Sequence, residues 1–163
     1  MTYHALQPPG TGGAEGPRWA VGAARSTAGH ALGPYEKAGD GPVLCGGGPG
    51  SWDESGIGTR HVVHAPDGQG GLVMVYEGVG GDGRHRLGLA TSVDGLAWTK
   101  VEGVGPEPGG PIFEGAPKES DGRGITGTLY YVGTSDKGRS VAIGCAESDE
   151  LLSSTWERVK ATS

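Results

Sequence analysis

A handful of side chains in the middle of this sequence are of types that do chemistry. Asp53 follows Trp52 in the run Ser51-Trp52-Asp53-Glu54. A carboxylate there can take a proton or attack an electron-poor carbon. It can also accept backbone hydrogen bonds and simply hold the turn at Trp52. Arg60 and His61 are neighbours behind Thr59. In an extended chain they point to opposite faces, so one can reach an interior site while the other meets the adjoining strand layer. An inward Arg60 can grip a hydroxyl or depress the pKa of a carboxylate; it can equally close a salt bridge to a nearby acid. Glu77 interrupts the apolar run Val73-Met74-Val75-Tyr76 just ahead of Gly78, either as a placed acid or as a solvated strand end.

Other chemistries lack their residues. His30, His64 and His85 stand apart without converging carboxylates, so neither a metal site nor a cofactor is expected. Gly46-Gly47-Gly48-Pro49-Gly50 is glycine-rich, but no Lys-Ser/Thr follows it, so it is not a phosphate loop. Cys45 and Cys145 have no ligand-spaced partners and read as two unpaired thiols. The net charge is −6 with no basic cluster, which argues against nucleic acid or an anionic membrane as partner. No apolar run approaches the roughly 20 residues that span a bilayer. Met1–Pro17 lacks both the apolar core of a secretory signal and the character of a transit peptide, and the compartment stays open.

The elements that must position these residues come from a repeat. The pattern apolar-Gly-x-Ala-x-Ser occurs at Val21–Ser26, Leu87–Ser92 and Ile143–Ser148. Each copy alternates as a strand does. Each leads through a polar turn to an aromatic with a basic residue two positions on: Tyr35-Glu36-Lys37, Trp98-Thr99-Lys100 and Trp156-Glu157-Arg158. The β-prone stretches Val73–Gly78 and Thr128–Gly133 precede the last two copies, and a further strand is expected at Thr59–His64. The 35 glycines and 11 prolines then fall into turns between short strands. Four short antiparallel strands per unit is the plan of a propeller blade. The expectation is an all-β partial β-propeller of two to three four-stranded antiparallel blades. A flexible Gly/Pro-rich arm (1–17) precedes a propeller region (18–160) with blade remnants at 18–45, 51–101 and 111–160.

The stretch Ser51-Trp52-Asp53-Glu54-Ser55-Gly56-Ile57-Gly58-Thr59-Arg60-His61-Val62-Val63, followed by Met74–Gly78, Gly88–Ser92 and Asp94–Trp98, resembles five-bladed β-propeller proteins of the glycosyl hydrolase-like group, related to arabinanases, levansucrases and invertases. The resemblance implies hydrolysis or binding of an oligosaccharide or polysaccharide; that the protein is soluble is expected from the lack of a signal peptide or membrane-spanning run. Such hydrolysis needs two carboxylates, one protonating the leaving oxygen while the other attacks the sugar or activates water. Asp53, ahead of the inner strand, would be the base or nucleophile at the mouth of the axial channel. Phe113-Glu114-Gly115-Ala116-Pro117 loosely resembles the Glu-Gly-Pro that carries the general acid, which makes Glu114 the second catalytic candidate. Trp52 could stack on a sugar ring or pack between blades; Arg60, His61 and Glu77 would contact substrate. Ser92–Trp98 resembles the Asp-box of sialidases, one residue short, with Asp94 holding the hairpin and Trp98 packing between blades.

The sequence departs from the family pattern in two respects. The ring needs five blades, so missing blades or a partner chain must complete it, and the first copy is expected to lack strands of its own ahead of Trp19. The third unit is shortened, so that Glu114 begins a loop where an inner strand belongs. A non-catalytic carbohydrate- or protein-binding propeller, and a fragment without independent activity, therefore stand beside the enzyme.

Overall fold

The computed structural model describes residues 1–7, 9, 16–65, 70–102, 110–114, 127–135, 140–148 and 157–158. Among the described residues there are strands and no helix: β1 (Thr2–Gln7), β2 (Arg18–Ser26), β3 (Tyr35–Lys37), β4 (Gly56–His64), β5 (Leu72–Val79), β6 (His85–Ser92), β7 (Thr99–Lys100), β8 (Phe113–Glu114), β9 (Gly127–Ser135), β10 (Ser140–Ser148) and β11 (Glu157–Arg158). The chain divides into two compact units, Met1–Val101 and Glu102–Ser163.

In the first unit, β4, β5, β6 and β7 form a four-stranded antiparallel meander. Ahead of it, β1 and β3 both pair antiparallel with β2. β2 and β4 meet side by side, in parallel, at Trp19 and Gly56. Gly56 sits at φ 135°, and a side chain there would press on the Trp19 backbone, so only glycine fits this crossing. In the second unit, β9, β10 and β11 form an antiparallel sheet in the order β11-β10-β9. The fold is an all-β partial β-propeller.

The pairing register repeats in all three copies. The hexapeptide glycine faces a tyrosine of the preceding strand: Gly22 faces Tyr3, Gly88 faces Tyr76 and Gly144 faces Tyr131. The hexapeptide alanine faces the basic residue of the following strand: Ala24 faces Lys37, Ala90 faces Lys100 and Ala146 faces Arg158. The periodic sequence thus specifies a periodic ladder. The first copy departs from its expectation. Ahead of Trp19 the chain does supply a partner strand, β1, although residues 1–17 are rich in glycine and proline as a whole. Thr2–Gln7 contains neither, and its alternation lets it pair along β2 from Thr2–Ala23 to Gln7–Arg18.

The hydrophobic core of the first unit joins its two blades. Val21 and Leu44 from the β1–β3 blade pack with Ile57, Met74, Tyr76 and Ala90 of the β4–β7 blade, with Trp52, Val62 and Trp98 against them. Arg60 reaches across the same boundary, its Nε donating to Thr2 Oγ1 at 3.3 Å.

Candidate functional site

The segment between β3 and β4 crosses the face of the β4–β7 blade, and glycines on that face make room for it. A Cβ at Gly78 would drive into the Trp52 ring and Asp53 Cβ, and one at Gly88 would come within 2.6 Å of Trp52. The Trp52 ring stacks on Tyr76, with centroids 5.6 Å apart and planes at 24°. Next to it Asp53 is buried, 1% exposed. Its Oδ1 accepts from the Gly47 amide at 2.9 Å and Ser51 Oγ at 3.2 Å. Its Oδ2 accepts from Lys100 Nζ at 2.5 Å and the Tyr76 hydroxyl at 3.4 Å. Burial, then the charge and hydrogen bond of Asp53, push the Tyr76 phenol well above its usual range, so it stays protonated and donates. The Lys100 ammonium also lies 5.9 Å from the Tyr76 ring centroid. Cys45 is half-buried near this group; burial raises its thiol pKa, partly offset by the charges of Lys100 and Arg18.

A second cluster sits at the start of β4. Ile57 pairs with Gly78 and Arg60 with Tyr76, so Gly58 and Thr59 together oppose Glu77 alone, in a β-bulge. The Glu77 side chain occupies the space a Gly58 side chain would need. Its Oε2 accepts from the Thr59 amide at 3.0 Å, and its Oε1 lies 2.6 Å from His85 Nδ1. Burial pushes the Glu77 carboxyl up, but the bonds from His85 and Thr59 outweigh it and hold the group below its usual range. Arg60, half-buried, donates to the Gly58 carbonyl as well as to Thr2, and desolvation lowers its pKa. His61, the next residue, is exposed.

Of the residues singled out from the sequence, Trp52 and Asp53 therefore share one cluster, and Arg60 and Glu77 meet at the bulge through Gly58. The Trp52 ring, partly buried, packs on Tyr76 and against the core. Among the described residues Arg60 contacts a hydroxyl and a carbonyl rather than closing a salt bridge to an acid. Glu114 ends the short strand β8, and its side chain and residues 115–126 lie outside the described residues. Sequence reasoning missed Lys100, Tyr76 and His85 as site residues. For Lys100 a signal existed: the basic residue two positions after the aromatic recurs in every copy.

At the opposite end of β4 and β5 an open cleft of about 700 Å³ lies between the two blades, lined among others by Thr2, Ala24, Ser26, Tyr35, Val62 and Trp98. Beside it Asp94 is a structural residue, as expected for an Asp-box-like turn. Its Oδ1 accepts from the Leu96 and Ala97 amides at 2.8 and 2.9 Å, and Trp98 Nε1 donates to the Gly95 carbonyl at 2.9 Å. Among the described residues no three His, Cys, Asp or Glu gather as a metal site, and no helix is long and apolar enough to cross a membrane.

No protein-family model and no curated protein matches this chain. Solved propeller structures do. One comes from the GH130 family of mannoside phosphorylases, which contains glycoside hydrolases that target β-1,2 mannosidic linkages in Candida mannan (TM-score 0.56, 18% identity, 99% of this chain and 45% of that one). Another is a complex of BT0996 with RGII (TM-score 0.61, 21% identity, 97% of this chain and 47% of that one). A third is a candidate glycosidase from Bacteroides thetaiotaomicron VPI-5482 (TM-score 0.54, 20% identity, 96% and 45%). At these identities the likeness is one of fold. The chain spans a little under half the length of each.

Proposed function

We propose that this chain is a section of a carbohydrate-active β-propeller of the glycoside hydrolase-like kind, acting on or binding an oligosaccharide. The observation that carries the reading is the fold: nearly the whole chain follows the path of about half of a propeller glycosidase-type structure. The resemblance of the sequence to propellers related to arabinanases, levansucrases and invertases and the mannoside-directed family of one structural neighbour both support a glycosidic substrate, and differ over which sugar. In the hydrolytic form of the proposal Asp53 is base or nucleophile, Glu114 is the acid, and Arg60, His61 and Glu77 contact the sugar. The remaining blades come from elsewhere in the protein or from a partner chain.

One observation favours a second reading, a propeller that binds carbohydrate without cleaving it. Asp53 is sealed from solvent, and both its oxygens are engaged by Lys100, Tyr76, Gly47 and Ser51. A catalytic carboxylate must reach substrate; this one fastens the inter-blade segment to the sheet face. The Asp53→Asn variant separates the two. Turnover of an aryl-glycoside panel and of arabino-, fructo-, xylo- and manno-oligosaccharides by the wild type, falling about 100-fold or more in a variant that is still folded at the assay temperature, establishes hydrolysis with Asp53 as its carboxylate. In the binding reading no substrate turns over, glycan binding persists, and the variant is destabilised by about 2–4 kcal/mol because Lys100 loses its buried partner.

A further inference from the structure

The three copies of the repeat separate what the sheet requires from what one blade adds. Glu77 follows the tyrosine that faces the hexapeptide glycine; the residues at that place in the other copies are His4 and Val132. His85 stands three residues before the glycine, where the other copies have Trp19 and Val141. Only the β4–β7 blade puts a carboxylate and an imidazole together there, so the propeller ladder does not call for the pair.

The pair is nevertheless built in. The bulge at Gly58 and Thr59 opens the strand opposite Glu77, the absent side chain of Gly58 leaves space for Oε2, and the Thr59 amide fixes that oxygen at 3.0 Å. The other oxygen lies 2.6 Å from His85 Nδ1. An ionised carboxylate can only accept, so Nδ1 carries the proton, and a neutral imidazole protonated there offers Nε2 as an acceptor. The His85 side chain is 62% exposed and that of Glu77 27%, so the imidazole stands at the surface.

We infer that Glu77 and His85 form a dyad that presents His85 Nε2 as the hydrogen-bond acceptor for a hydroxyl of a neutral carbohydrate at the bulge end of this blade. The carboxylate disfavours an anionic ligand, and an acceptor matches the hydroxyl donors of a sugar. The inference rests on the carbohydrate reading above and adds the group that reads one hydroxyl.

Two measurements on the full chain test it. Long-range nitrogen–proton NMR at neutral pH is expected to show His85 protonated at Nδ1 in the wild type, reverting to the Nε2-protonated form in Glu77→Ala. A wild-type His85 protonated at Nε2 overturns the dyad whatever the ligand. On an array of neutral oligosaccharides that includes β-1,2-linked mannosides, His85→Leu is expected to bind roughly three- to tenfold more weakly, the worth of one hydrogen bond, at unchanged melting temperature. His85→Gln, which keeps an acceptor near the Nε2 position, is expected to retain most of the signal. Wild-type binding that His85→Leu leaves untouched overturns the inference alone. No binding by the wild type overturns the carbohydrate reading and this inference with it.

Discussion

Individual carboxylates in this chain are held by different means. Asp53 is buried and neutralised by Lys100, an arrangement whose removal on one side costs far more than the intact pair contributes. Asp82 is exposed and gripped by Arg86 through both oxygens, at 3.1 and 2.6 Å, with the Arg84 amide adding a third bond; together these hold its carboxyl at about 2. Asp94 is held below its usual range by the Ala97 and Leu96 amides. A depressed pKa stabilises the fold above the unfolded value and ceases to do so as pH falls through the folded one. Asp82→Asn is therefore expected to lower the denaturation midpoint slightly at neutral pH. The gap from wild type should narrow once pH drops under about 4 and close below about 2. Urea titrations at stepped pH check this, and added salt should shrink the gap, since the pair lies at the surface. A gap that widens on acidification would contradict the assignment.

At the scale of the element, β5 and β6 are shaped by what lies on them. Gly78 and Gly88 weaken their strands intrinsically, yet they form the seat of the Trp52 ring. Gly78→Ala should cost about 1–3 kcal/mol through overpacking, although alanine is the better strand residue. The cost should fall in part when Trp52→Ala is already present, because the ring clash is then gone while Asp53 Cβ still stands 2.5 Å from the new Cβ; a double-mutant cycle by thermal unfolding measures this coupling. An equal penalty in both backgrounds would place the strain elsewhere. The first copy bears out the logic in another form: Gly22 lies under its own Tyr3 ring, which a Cβ would meet.

Across the first unit, the two blades share one core rather than owning one each. Leu44, 6% exposed, bridges to Val21 on β2 and belongs to the same cluster as Ile57, Met74 and Tyr76. Leu44→Ala should destabilise the unit by about 2–5 kcal/mol. Hydrogen exchange should then quicken in β2 and in β5 and β6 together, since a shared core makes them one cooperative body. Faster exchange confined to β1–β3 would mean that the blades are separate folding units. The shared core also explains why Trp98 and Trp52, one from each end of the meander, are drawn to the same boundary.

By itself the sequence determined the strand repeat, the hairpin turn at Asp94 and the propeller architecture. Those depend on period-two alternation, turn residues and recurrence, which neighbouring residues encode. The basic residue that faces each alanine was likewise written in the copies, whereas the tyrosine that faces each glycine emerged only from the strand registers. Only the tertiary structure decided what Asp53 touches. Its partner Lys100 lies 47 residues away, and they meet because the segment after β3 crosses a sheet face that glycines have cleared. The same holds for Glu77. Its isolation as an acid was visible, but the bulge that seats it and the imidazole that binds it arise from the registers of β4 and β6 on β5, a property of paired strands that no single stretch of sequence carries.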